Sequence, residues 1–179
     1  MLRGLGLQFE IAPVDLDERA LAAGWGPLPP DELVLRLAQA KATEGRRQRP
    51  DAIVIAADTV VSLRQEVLGK PANPQDARAM LAKLSGRTHL VFTGVAVLGP
   101  GRPEYRACEA TAVTFRTLDA ATIARYVATG EPLDKAGAYG IQALGAVLVE
   151  RIDGDYFNVV GLPVVKVAEA LAPYGYQLP

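Results

Sequence analysis

The stretch that most limits how this chain can fold is residues 52–71, AIVIAADTVVSLRQEVLGKP. An apolar run, Ile53 to Ala57, delivers a carboxylate, Asp58, followed at once by Thr59 and two valines. A strand core has no use for an unpaired carboxylate, because its burial costs on the order of several kcal/mol unless it neutralises or finds a partner. Val60 to Leu68 reads as a strand, a short turn and a second strand, which puts Asp58 in or near one arm of a hairpin. Beyond it, Gly69-Lys70-Pro71 holds a lysine between glycine and proline. A hairpin that folds this lysine back can bring Asp58 and Lys70 to one site. The plainer alternative is a surface acid and a turn lysine that are neighbours in sequence only.

The elements around this hairpin mix strands and helices without βαβ alternation. GWGPLPP, residues 24–30, is a loop that stops whatever precedes it, and Pro30 with Asp31 and Glu32 suits the positive end of a helix. Leu33, Val34, Leu37 and Ala38 then share a face that Lys41 continues, so Lys41 either snorkels at the core's edge or points into a cleft. Pro74–Leu84 reads as a helix ended by Ser85-Gly86. Thr88–Leu98 and Tyr105–Leu118 are β-rich runs separated by GPGRP, and Asp119 caps a helix that Gly130 stops. AVLVERIDGDYF adds a strand and a turn, and Pro163–Leu171 closes the chain as a helix with Leu162, Val165, Val167, Ala168 and Leu171 available to pack. The pattern is α/β with a mixed sheet.

Composition excludes several function classes. The 179 residues suit one domain, or one domain with two lobes. With 19 basic against 20 acidic residues there is no basic excess to draw the chain to nucleic acid. No apolar run approaches the roughly 20 residues that a transmembrane helix needs, and no secretory signal opens the sequence. A cytoplasmic protein is therefore expected, without membrane or nucleic-acid partners. One cysteine, Cys108, and one histidine, His89, leave any metal to oxygen ligands, which favours Mg²⁺ or Mn²⁺. Cys108 lies in a strand-like run and reads as packed, and His89 reads as a turn or strand-end residue.

What remains is a set of charges in unexpected places. VDLDER sets Asp15, Asp17 and Glu18 within four positions, either as a solvated loop or, if extended, with Asp15 and Asp17 on one face. EPLDKAGAYGIQALGA leads Asp134 and Lys135 into a run of small residues and then Gln142. Its Gly137, Gly140 and Gly145 let backbone approach something closely, as in phosphate-facing loops, although a flexible connection has the same composition. Three lysines in constrained settings, Lys41, Lys70 and Lys135, suit a polyphosphate as point cations. Acids near them suit a divalent ion that bridges phosphate oxygens and water.

With IAADTVVSLRQEVLGKP, KLSGRTH, EPLDKAGAYGIQ and IDGDYFNVVGLP in this order, the sequence resembles the Maf family of nucleoside triphosphate pyrophosphatases. The resemblance runs from about residue 2 to residue 171. It implies an elongated α/β fold (Maf/ITPase-like), a mixed sheet with flanking helices in two lobes around a central cleft, and a homodimer. It also implies metal-dependent hydrolysis of a nucleoside triphosphate to the monophosphate and pyrophosphate, with ADTVV and AYGIQ resembling the dTTP- and UTP-acting branch. Carried over by position, Asp58 is the proton acceptor, Thr59 and Gln142 bear on base choice, and Lys41 and Lys70 are phosphate-cleft lysines. Asp17 falls on an acid of the family's acid-rich segment and joins Asp58 as an expected metal ligand. Asp134 and Lys135 fall in the small-residue loop, where Lys135 is a third phosphate-binding candidate. A glutamine suits a pyrimidine edge, since its amide offers both a donor and an acceptor to the carbonyl and N3–H of uracil or thymine.

Family members open with a strand and a Ser-Pro-Arg-Arg segment, whereas MLRGLGLQFEI corresponds to the end of the helix that follows. Residues 1–179 are thus expected to form a single Maf-like domain without that segment, and to hydrolyse nucleotide slowly for want of its bidentate arginines. The alternative is a catalytically impaired nucleotide-binding or regulatory protein, since the family has been linked to septum formation.

Overall fold

The computed structural model of the chain describes residues 1–178. Its helices are α1 (Glu18–Trp25), α2 (Pro30–Gln48), α3 (Pro74–Leu84), α4 (Ala120–Ala128), α5 (Tyr156–Val160) and α6 (Val164–Leu171). Its strands are β1 (Val54–Leu63), β2 (Glu66–Leu68), β3 (Thr88–Leu98), β4 (Tyr105–Phe115) and β5 (Val149–Asp153), in sheet order β2-β1-β3-β4-β5. The fold is α/β, a five-stranded sheet flanked by helices, and the chain divides into two compact units. The first comprises residues 1–58, 93–109 and 161–179, and the second residues 59–92 and 110–160. The three central strands, β1, β3 and β4, each contribute residues to both.

In the first unit the apolar run before Asp58 is covered on two faces. Val54 and Ala56 pack with Ala38, Ala42, Ala96 and Leu98, while Ile53, Ile55 and Ala57 pack with Val95, Val97, Val167, Ala170 and Leu171. This is the period-two alternation of a strand with helix α2 on one side and helix α6 on the other. Small side chains set the spacing on the α2 side. A Cβ added to Gly94 would fall on the Val34 carbonyl and within 2.8 Å of Leu35 N, so strand backbone lies directly against helix backbone there. Residues 167, 170 and 171 carry the buried face of α6, and Val165, half a turn away, is 61% exposed rather than packed.

The second unit has a larger and more aromatic core. Phe115, His89 and Tyr139 meet edge to face with ring centroids 4.7–5.4 Å apart, among Leu81, Leu84, Val91, Val113 and Leu148. Asp119 caps its helix as the sequence predicts, accepting from Thr122 N at 2.6 Å, and Asn73 does the same for α3, accepting from Asp76 N at 2.9 Å. β1 and β2 form an antiparallel hairpin whose two turn residues, Arg64 and Gln65, both have positive φ, the geometry of a tight primed turn. Asn158 of α5 is fully buried, and its amide donates to Val91 O at 3.0 Å and Thr111 Oγ1 at 2.8 Å, tying α5 to β3 and β4. His89 is the second residue of β3 and 2% exposed, so the strand-end histidine is a core residue. Cys108 is half-buried in β4, and its thiol is pushed up to about 11 by burial, then by the charges of Asp31 and Glu109, which leaves it a poor nucleophile.

Candidate active site

In the first unit, α2 and β1 bring Lys41 and Asp58 together. Ala38, Ala42 and Gly45 lie on the buried face of α2 and hold it close to β1, and Lys41 sits at the margin of that face. Its Nζ lies 2.6 Å from Asp58 Oδ1 and 2.9 Å from Glu18 Oε1. The Lys41 and Asp58 side chains are only 19% and 10% exposed, and Glu18 is 44% exposed. The Lys41 amine therefore belongs to an ion-paired cluster and not to bulk water. Burial works against its charge, but the two carboxylates outweigh burial and raise its pKa above the usual lysine value.

Asp17 stands beside this cluster in sequence. Its Oδ1 accepts from Ala20 N at 2.9 Å as the N-cap of α1, which makes Glu18 the first residue of that helix. Glu18 is the acid that a sequence reading passes over: VDLDER shows an acidic cluster, but which member turns toward Lys41 depends on where α1 starts. Among the described residues no group of three His, Cys, Asp or Glu side chains is placed to hold a metal ion. Two carboxylates that already share one cation nonetheless form an oxygen-only donor set. That is the kind Mg²⁺ uses when one or two acids, water and substrate phosphates complete its shell.

The second unit opens with Thr59, half-buried in β1, and places the other candidates on two adjoining loops. Gly137 N donates to Gly69 O at 3.0 Å, which ties the small-residue loop to the Gly-Lys-Pro turn. Lys135 Nζ lies 2.7 Å from Asp134 Oδ1, and the Lys135 ammonium holds the Asp134 carboxyl below the usual range, with Lys70 adding to the effect. Lys70 and Lys135 thus act on one carboxylate. Gln142 is exposed, on a loop anchored by buried Ile141 and buried Gly145.

The glycines of this loop approach the protein's own atoms. Gly137 has φ +68°, and a Cβ there would lie 2.8 Å from Val61 Cγ2; the next residue, Ala138, is also left-handed at φ 60° and fully buried. Two further side chains, unremarked in the sequence, hold the loop from outside. Glu131 accepts from Leu144 N and Gly145 N, each at 3.0 Å, and from the Tyr126 hydroxyl at 2.9 Å. Tyr126 is buried on α4 beside Ile123 and Val127, and nothing local in the sequence signals what its hydroxyl bonds.

With this geometry in view, comparison with known proteins defines the class. The Maf-like protein family model matches residues 1–174. The chain is 54% identical over 179 residues to the dTTP/UTP pyrophosphatase of Moorella thermoacetica, covering 99% of this chain and 90% of that protein. It is 48% identical over 178 residues to the protein of the same name from Symbiobacterium thermophilum, covering 99% and 89%. A third of that name, from Bacillus pumilus, is 51% identical over 148 residues, covering 83% and 78%. The chain belongs to the Maf-like family.

Proposed function

We propose that this chain is a nucleoside triphosphate pyrophosphatase that acts on dTTP and UTP, with modified pyrimidine triphosphates as further candidates, and releases the monophosphate and pyrophosphate. The observation that carries the reading is the Lys41 ammonium, held at 2.6 Å by Asp58 and at 2.9 Å by Glu18 in a half-buried setting. A polyphosphate oxygen competes for the same ammonium. When Lys41 turns to phosphate, its ion pair with Asp58 is given up and the carboxylate can serve as a base for water. Water then adds to phosphorus, its proton passes to Asp58, and the bridge between the α and β phosphates breaks with pyrophosphate as the leaving group. Lys70 and Lys135 are the phosphate-binding lysines in this scheme, and Thr59 and Gln142 the residues that choose the base.

For a Mg²⁺ or Mn²⁺ ion we assign the donors to Asp58 and Glu18, with Asp17 one residue back along the chain as a further carboxylate. Such an ion supplies charge neutralisation at the phosphate oxygens and a more acidic water. Nucleoside triphosphates place the reaction in the cytoplasm. No helix among the described residues is long and apolar enough to cross a membrane. A homodimer belongs to the same reading, with sedimentation of the full chain as its measure.

The test is pyrophosphate release from dTTP, UTP, CTP, GTP and ATP with added Mg²⁺. dTTP and UTP should be preferred, and Asp58→Asn should lower turnover by about 10²–10⁴-fold, the range for a positioned general base. A parent chain that prefers purine triphosphates, or an Asp58→Asn variant as fast as the parent, overturns the proposal.

A further inference from the structure

The loop that carries Gln142 is fixed by two side chains to which no role has been given. Glu131 directs both carboxylate oxygens at the loop's C-terminal side: Oε2 accepts from Leu144 N and Oε1 from Gly145 N. The Tyr126 hydroxyl holds its N-terminal side by accepting from Gly140 N at 3.1 Å, and it donates to Glu131 Oε1 at 2.9 Å. The two ends of a six-residue segment, Gly140 to Gly145, therefore converge on one hydroxyl–carboxylate pair. The fit leaves no room: a Cβ on Gly145 would lie 2.6 Å from the Tyr126 oxygen, and one on Gly140 2.7 Å from the Lys135 stem. Inside this frame Gln142 is exposed.

We infer that Glu131 and Tyr126 are positioning residues for base selection, a clamp that sets where the Gln142 amide meets the pyrimidine edge. The inference rests on the reading of Gln142 as a base-choosing residue. An exposed amide reads a base only if its backbone is fixed, because a misplacement of about 1 Å is enough to lose most of an oriented interaction. Three backbone N–H groups of the loop end on this pair, and no repeating element supplies them with other acceptors. Glu131 is suited to the task as an anion. Burial disfavours its charge, but the amides of Gly145 and Leu144 and the Tyr126 hydroxyl outweigh that and hold its pKa below the usual carboxylate value.

The experiment compares kcat and KM for UTP and CTP in the full chain and in Gln142→Ala, Tyr126→Phe and Glu131→Gln. CTP differs from UTP only along that edge, where an amine replaces the C4 carbonyl and N3 has no proton, and so it reads the donor–acceptor match directly. Tyr126→Phe keeps the ring in the core, and Glu131→Gln keeps one carbonyl acceptor. Both should lower the preference for UTP over CTP by about tenfold, the effect of one oriented hydrogen bond, through KM and with kcat within about twofold. Hydrogen exchange at the Leu144 and Gly145 amides should quicken in Glu131→Gln while amides of β3 keep their protection. Unchanged preference in both clamp variants, beside a collapse in Gln142→Ala, overturns the inference alone. Unchanged preference in Gln142→Ala overturns the base-reading assignment and the inference with it.

Discussion

The two units hold their candidate functional groups in opposite ways. In the first, Lys41 and Asp58 stand on regular elements, a 19-residue helix and a ten-residue strand, and meet because small side chains let backbone touch backbone. In the second, Lys70, Lys135 and Gln142 stand on loops, and what fixes them is a left-handed turn at Gly137 and Ala138 together with the Glu131–Tyr126 pair. A charge placed by packing shares the fate of the core that packs it. A charge placed by hydrogen-bonded loops can be misplaced while the core stands. That difference can be tested, because a single added methyl group probes each device.

Gly94→Ala should have the largest effect. The atoms its methyl would meet belong to the backbone of α2, which cannot turn aside, so the loss should be about 3 kcal/mol or more, the upper range for overpacking. Urea unfolding should show a lower midpoint and pyrophosphate release should fall in parallel; a variant as stable as the parent would break the account of the first unit. Gly137→Ala should cost less, about 2–3 kcal/mol, as the sum of the left-handed penalty and the close approach to Val61. Turnover should fall by more than the lost stability explains at a temperature where the variant is folded. Equal loss of both would erase the contrast between the units.

The smallest effect concerns pH and belongs to the second unit alone. Burial pushes His89 down to about 4, its Nε2 faces the Tyr139 hydroxyl at 2.8 Å, and its Nδ1 has no hydrogen-bond partner, so a second N–H there would have no acceptor. An unfolded histidine takes up its proton near pH 6.5 and this one only near 4, so between these values the unfolded chain binds more protons. Stability is intact above pH 6.5 and lost as pH falls toward 4, by about 2 kcal/mol between pH 7 and pH 5. Denaturant midpoints at the two pH values should show the loss in the parent and a flatter response in His89→Phe.

The sequence was informative wherever a repeat or a cap marks an element. Pro74–Leu84 and Thr88–Leu98 appear with the bounds that Pro74, Ser85-Gly86 and the strand composition announce, and the α2 face is visible from Val34 to Lys41. The first unit's ion pair was half legible for the same reason: Lys41 continues a periodic stripe, and Asp58 interrupts an apolar run. Glu18 was not, because one residue's difference in the start of α1 turns it toward Lys41 or away. The loop from Glu131 to Leu148 was the least legible. Its short turns have no period, and its glycines announce close approach without saying to what, here Val61, the Lys135 stem and the Tyr126 hydroxyl.

Helix α1 has a use of a different kind. It begins at Glu18, bonded to Lys41, and ends seven residues later at Trp25, whose ring lies 5.8 Å from the Arg36 guanidinium. Trp25 is the chain's one tryptophan, so indole fluorescence originates in the first unit only. A triphosphate that draws Lys41 away from Glu18 releases one end of a short helix whose other end carries the fluorophore. Binding can therefore be followed optically in the unmodified protein, separately from turnover.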